Sequence, residues 1–305
     1  MLHKKWRRCC MADETLGSTV PRRQLGRLLA RLREEALITV DATAEAMDCS
    51  RQKIWRIEKG LVPVRTPDAK VLCDLYEASD EVREQVTTLA KESRANGWWQ
   101  SYGESIPSRI STYVDLETAA SRMRYHASHL VPGLLQTREY AVSVFRREQP
   151  AWSEEQIQQG IQFRLQRQRV LDRRLPPAPR LDLILSEAVL RRPSPTRPAM
   201  ARQLQHLLDS MERPNVSIHV LALAAGPPMG AECGCFIILD FPPSRGRNTA
   251  EPTTVYIESI TGALYLDKPA EVAAYDRVWR SQQDLVLNEE ASRDLILKIM
   301  KEYHE

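Results

Sequence analysis

Along the first third of the chain, apolar residues recur every three or four positions, the spacing of helices with one buried face. Pro21 opens a helix, Arg22 to Ala36, with Leu25, Leu28, Leu29, Leu32 and Ala36 on one side. Two short helices follow, Ala42 to Met47 and Ser50 to Lys59, joined by a tight turn and sharing an inward stripe of Ala44, Met47, Ile54 and Ile57. After the Pro-punctuated loop Leu61–Pro67, Pro67 or Asp68 starts a helix with Val71, Leu72, Leu75 and Tyr76 inward. Asp80 begins another, with Val82, Val86 and Leu89 at helical spacing. Asn96-Gly97 is a helix stop. About five helices are thus expected by Ala95, enough for a small all-α domain.

The next stretch changes character. Trp98 and Trp99 read as anchors of a linker against a second domain, with ligand binding as the alternative. A helix is expected from about Ile110 to Ala127, with Tyr113, Leu116, Ala120, Met123 and Tyr125 inward. Pro132-Gly133 is a turn, and Thr137 caps a helix continuing through Phe145. Ser153 caps a long helix to Asp172 carrying Arg164, Arg167 and Arg169, with Arg173 and Arg174 beyond. A charge run of this kind reads as a solvated face; a second nucleic-acid surface is the alternative. Past Pro176–Pro179 the period shortens to two. Leu181–Leu185, Val216–Leu221, Cys235–Phe241, Thr254–Glu258 and Ala263–Leu266 read as strands. Helices fill Arg197–Glu212, Pro269 to about Val286 and Glu289 to Tyr303. The fold class is α+β. Residues 1–20 form a disordered basic N-terminus and residues 21–96 a five-helix all-α domain. Residues 97–305 form an α+β domain with a small, mainly antiparallel sheet.

Composition narrows the field. A hydrophobic share of 43% and a charged share of 27% are those of a soluble globular protein. The net charge of +3 and pI of about 8.5 exclude a polybasic binder, so any nucleic-acid surface must be local. It is local: Arg51, Lys53, Arg56, Lys59 and Arg65 face only Glu58 within their span. The six cysteines are scattered, unlike a secreted disulfide framework. Cys233-Gly234-Cys235 lacks the second ligand pair of a zinc site, and a Gly-containing strand start is the plainer reading. No stretch approaches a membrane span, and MLHKKWRRCC lacks the apolar run of a signal peptide. The protein is read as cytoplasmic and nucleoid-associated, with Met11 as an alternative start.

No nucleotide-binding, zinc-protease or serine-hydrolase motif is found, so no enzyme activity and no cofactor or metal is expected. His126 and His129 would share a helical face, as surface or structural residues. Ser186-Glu187 with Arg191-Arg192 reads as a charged surface patch. The Gly226–Gly234 loop is either a flap over a pocket or a plain connection.

The most telling stretch is Thr39–Gly60, TVDATAEAMDCSRQKIWRIEKG. Ser50 is an N-cap, and Gly60 suits a left-handed C-cap. A compact helix with a basic, amide-bearing outer face fits the DNA major groove. The Ser-rich entry to the second helix and the Ile57-Glu58-Lys59-Gly60 close resemble the helix-turn-helix of phage-repressor-like (XRE) regulators. The resemblance implies that Ser50, Arg51, Gln52 and Arg56 face bases. It puts phosphate contacts near Thr39 and Val40 and near Lys53 and Lys59. Arg65 joins these by its charge. The turn departs from the family pattern, with Asp48-Cys49 where Gly is common; Asp tolerates left-handed backbone better than most residues.

HLVPGLLQTREY (His129–Tyr140), with GWWQSY upstream and SEAVLRRP at Ser186–Pro193, resembles the C-terminal domain of a large actinomycete family. These are XRE regulators with a DUF5753 domain, also called antitoxin-like regulators. The likeness runs from about Arg22 to the C-terminus. It implies a sequence-specific transcriptional regulator of double-stranded DNA, a homodimer on a two-fold operator. Its C-terminal domain would supply dimer contacts and answer to a small ligand or a small partner protein encoded nearby. The alternative is an antitoxin-like protein-binding module or small-molecule sensor whose DNA binding is autoregulatory.

Overall fold

The computed structural model describes residues 20–93, 108–193, 196–243, 251–260 and 262–304. The readings of the N-terminal arm and of Trp98 and Trp99 lie outside the described residues. The helical periodicity of the first third becomes α1 (Val20–Glu35), α2 (Val40–Ala46), α3 (Arg51–Glu58), α4 (Thr66–Leu75) and α5 (Asp80–Glu92). Their inward stripes meet in one core that includes Leu25, Leu29, Ile54, Leu72, Val86 and Leu89. Val71, expected inward, is instead 46% exposed. The buried stripe of α4 is Ala69, Leu72, Cys73 and Tyr76, at i, i+3, i+4 and i+7, so the helix is turned one position from the expected face.

The chain divides into two compact units. The first holds α1 to α5 and also takes in Glu251. The Glu251 carboxylate is buried between two arginines of α1, with Arg23 Nε at 3.2 Å and Arg27 bonding its other oxygen.

The second unit is built on a mixed sheet. Its strands are β1 (Arg122–Ala127), β2 (Arg180–Ser186), β3 (Val216–Leu221), β4 (Phe236–Asp240), β5 (Thr254–Ser259) and β6 (Gly262–Leu266). Their order is β3-β2-β1-β4-β5-β6. β1, β2 and β3 run parallel, whereas β4, β5 and β6 add on antiparallel. The helices are α6 (Ser108–Ala119), which begins in the first unit, then α7 (Arg138–Glu148), α8 (Glu154–Gln168), α9 (Glu187–Arg191), α10 (Arg197–Ser210), α11 (Pro269–Gln283) and α12 (Glu289–Glu302). The α+β class is as expected, and the sheet is mixed, with two parallel and three antiparallel pairings. No described helix is long and apolar enough to cross a membrane.

Four expectations need correction. The helix expected over Ile110–Ala127 stops at Ala119, and its last residues form the central strand β1. The period-three apolar positions there also fit period two, and sheet pairing decides between them. Arg122 and Arg124 of β1 are neutralised by partners far along the chain: Arg122 by Asp182 of β2 at 2.6 Å, Arg124 by Asp240 of β4 at 3.1 Å and by Asp276 of α11. In consequence His126 and His129 do not share a helical face; His126 is buried in β1 and His129 lies in the loop beyond it.

The charge run beginning on α8 is solvated only in part: Arg169 and Arg174 are exposed, whereas Arg164 and Arg167 are not. Arg167 makes a two-armed ion pair with Glu117, at 2.9 and 2.7 Å, both side chains largely buried. Half-buried Arg164 stacks on Phe145 at 4.3 Å and bonds Gln136. Burial, with Arg167 alongside, pulls the pKa of Arg164 down to about 10. The Ser186–Arg192 patch is likewise partly interior. Ser186 caps α9, and buried Glu187 accepts from Arg191 at 2.7 Å and from the Leu223 N–H at 2.9 Å.

Candidate nucleic-acid interface

Local chemistry fixes the two helices of the turn. Thr39 Oγ1 accepts from the Ala42 N–H at 3.1 Å and starts α2; Ser50 Oγ accepts from the Lys53 N–H at 3.2 Å and starts α3. Between them Asp48 takes φ 45°, in the left-handed region. The Cys49 N–H then reaches the Ala44 carbonyl at 2.9 Å and the Asp48 N–H the Glu45 carbonyl at 3.1 Å, closing the end of α2 as a Schellman motif. Asp48 thus does what Gly does elsewhere.

α3 has one anchored face. Ile54 and Ile57 are buried in the first core. At its far end the close approach is backbone to backbone. A Cβ on Gly26 of α1 would lie 2.6 Å from the carbonyl oxygens of Ile57 and Glu58. Gly60, at φ 65°, sits as tightly against Arg23. Neither contact can be relieved by a side-chain rotation, so a methyl group at Gly26 would have to move α3 itself. Glu58 is turned back and clamped by Arg33 of α1, with Arg33 Nε at 2.6 Å and Nη2 at 3.0 Å. This hydrogen-bonded pair raises the pKa of Arg33. It also removes the one carboxylate expected among the cations of α3.

The outer face is left free. Ser50, Arg51, Gln52, Lys53 and Lys59 are exposed and Arg56 is half-buried. Arg51 has only a loose ion pair with Asp41, at 3.6 Å with both side chains in solvent; an exposed pair of that kind contributes about 0–1 kcal/mol and yields readily to a phosphate or base. Exposed Thr39 and half-buried Val40 stand at the N-terminus of α2, where the first-turn N–H groups without a capping partner suit a phosphate. Asp41, in that same turn, opposes it. Arg65 is exposed but already engaged by Asp68 through two bonds of 3.0 and 3.1 Å.

Trp55 was not assigned a role from sequence. The residue is 49% exposed and shares a helix face with Arg51 and Gln52, four and three residues earlier. The signal was its position, one step off the apolar stripe.

The second motif, HLVPGLLQTREY, is built the other way. Thr137 caps α7, as expected, by accepting from the Tyr140 N–H at 3.3 Å. Gln136 Nε2 donates to the Val131 carbonyl at 2.7 Å. Gln203 of α10 accepts from the Thr137 N–H and donates to the Leu135 carbonyl, both at 2.7 Å. Gln168 of α8 donates to the carbonyls of Gly133 and Gln136, at 2.9 and 2.8 Å. Gln136, Gln203 and Tyr140 are buried. These bonds hold the loop against α7, α8 and α10, while His129, Arg138 and Glu139 of the motif remain exposed.

A family profile described as a domain of unknown function, DUF5753, matches residues 110–298. The chain belongs to the DUF5753 family. Residues 24–86, spanning α1 to the middle of α5, match a helix-turn-helix domain profile. Comparison with curated proteins and with solved structures returns no match. The DUF5753 match begins in α6 and runs through the sheet into α12, so the knitted loop lies inside it. Among the described residues no group of three or more His, Cys, Asp or Glu side chains is placed to hold a metal ion.

Proposed function

We propose that this chain is a sequence-specific DNA-binding transcriptional regulator and not an enzyme. The observation that carries the reading is the free basic and amide face of α3, on a helix-turn-helix whose opposite face is locked to α1. α3 lies in the major groove. Arg51 and Arg56 pair with guanine edges and Gln52 with adenine, each contact discriminating by about 1–3 kcal/mol. Ser50 approaches the bases from the helix N-terminus. Thr39, Val40, Lys53, Lys59 and Arg65 meet phosphates, which makes binding salt-dependent. One such domain reads few base pairs, so the protein acts in the cytoplasm as a homodimer on two half-sites about one helical turn apart. The DUF5753 domain is its input, in the antitoxin-like manner of the family it resembles, taking a small partner protein or ligand.

The test is titration of the purified chain against its own upstream DNA and a scrambled control at two salt concentrations. The upstream DNA is expected to bind more tightly at both. Arg56→Ala should cut the ratio of specific to non-specific affinity by about tenfold. Equal affinity for the scrambled DNA removes the sequence-reading role; an unchanged ratio in the variant moves base contact to another face of α3.

A further inference from the structure

The sheet reverses its direction of growth beside β1. The chain leaves β1 to lay down β2 and β3 on one side, then returns after β3 to place β4 on the other. In open sheets with parallel strands, ligands bind in the crevice beyond the carboxyl end of the strand at such a reversal. Here that end of β1 meets the beginning of β4, with His126 paired to Phe236. The residues just past the pairing are Ser128 and His129 on one side and Cys235 on the other.

Their side chains converge. Cys235 Sγ lies 3.4 Å from His129 Nδ1 and 3.4 Å from Ser128 Oγ, and it accepts from the Ser128 N–H at 3.4 Å. Ser128 Oγ is 2.9 Å from the same Nδ1. Arg192 ties down the loop by donating to the His129 carbonyl at 3.2 Å. Cys235 is half-buried and His129 exposed, so small solutes reach the sulfur and the ring exchanges protons with water. A thiolate, not a thiol, is the nucleophile, and a hydrogen-bonded imidazole is the base that generates it. The Ser128 N–H faces the charge that results. Cys233, two residues earlier and equally half-buried, has no hydrogen bond to a histidine among the described residues.

We propose that Cys235 is a peroxide-reactive thiol with His129 as its base. Cys235 passes its proton to His129 Nδ1. The thiolate attacks one oxygen of a hydroperoxide, forming an S–O bond as the O–O bond breaks. Sulfur gives up two electrons and the peroxide is reduced. The departing alkoxide or hydroxide takes the proton from His129 and leaves as alcohol or water. The product is a sulfenic acid at Cys235, the first and reversible rung of cysteine oxidation. The site stands whether or not α3 reads DNA.

The experiment exposes the full chain to hydrogen peroxide with dimedone present to trap sulfenic acid, and follows each cysteine by peptide mass spectrometry. Cys235 is expected to be trapped about tenfold or more faster than Cys233 or Cys49, and His129→Gln to bring it down to their level. The His129 ring is exposed, so the variant folds. Ser128→Ala keeps the backbone N–H and should retain most of the rate. Trapping of Cys235 no faster than Cys233, or undiminished in His129→Gln, overturns the proposal.

Discussion

Two motifs stand out in this sequence, and the molecule uses their polar side chains in opposite ways. In Thr39–Gly60 the outward polar residues of α3, all but the clamped Glu58, are held by nothing stronger than the loose Arg51–Asp41 pair. In Leu130–Thr137 the polar groups are paired inside the fold, with Gln136 of the loop and Gln168 and Gln203 of neighbouring helices making bonds of 2.7 to 2.9 Å. A buried polar group costs free energy unless it is paired, so the second arrangement specifies a conformation. An exposed and weakly committed set costs almost nothing to redirect, so the first is available to a partner. The two look alike as strings of letters. What separates them is whether each donor and acceptor already has its match inside the protein.

The largest effect that sharpens this contrast is one of pH. The interior polarity of the second unit has a flaw: His126 is 4% exposed and its Nδ1 has no partner. Burial, helped by the charge of His129, lowers its pKa from 6.5 to about 4. The unfolded chain therefore binds a proton near pH 6.5 that the folded one refuses until about pH 4. Stability from neutral His126 is complete above pH 6.5 and is lost as pH falls toward 4, by about 3 kcal/mol. Urea unfolding at pH 7 and pH 4.5 should show a steeper loss in the native chain than in His126→Phe, which keeps the stacking on Phe236. Parallel pH profiles would mean that the histidine is accommodated at no cost.

A matched pair of glutamines tests the contrast directly. Gln203→Ala removes two buried hydrogen bonds and strands the Thr137 N–H and the Leu135 carbonyl, and is expected to cost about 2 kcal/mol of stability. Gln52→Ala, on the exposed face, should change stability by no more than about 0.5 kcal/mol while weakening discrimination for the preferred DNA. Denaturant titration and DNA titration of both variants give four numbers. If Gln52→Ala destabilises as much as Gln203→Ala, α3 is not the free surface described.

Much of this was legible in the sequence, for a physical reason: it depended on neighbours a few residues apart. The caps Ser50, Thr137 and Ser153, the left-handed Asp48 and the inward Ile54 and Ile57 all follow from local spacing. The outward positions of α3 follow from the same wheel. What escaped was set by partners far along the chain. β1 passes for a helix until Asp182, Asp240 and Asp276 arrive to neutralise its arginines. Arg167 passes for a surface charge until Glu117 is found beneath it. The Arg33–Glu58 clamp behind α3 and the meeting of Ser128 and His129 with Cys235 are of the same kind. Only the sheet pairing and helix packing reveal them.

The smallest expected effect lies at the edge of the first motif. α1 ends, like α2, in a Schellman motif, with the Ile38 N–H reaching the Arg33 carbonyl at 3.0 Å and the Leu37 N–H the Glu34 carbonyl at 3.0 Å. Its left-handed residue is Leu37, at φ 58°, with a side chain 91% exposed. A leucine there has the steric penalty of a Cβ in left-handed backbone and no burial to offset it. Glycine removes the penalty but brings more chain entropy to the unfolded state. The balance favours Leu37→Gly by about 0.5–1 kcal/mol, read as a shift in the urea midpoint with unchanged slope. DNA affinity should stay the same, because Leu37 is outside the α3 face. A variant that is no more stable and binds DNA less well would place Leu37 among the exposed residues held ready for a partner, and would extend that class beyond the polar side chains of α3.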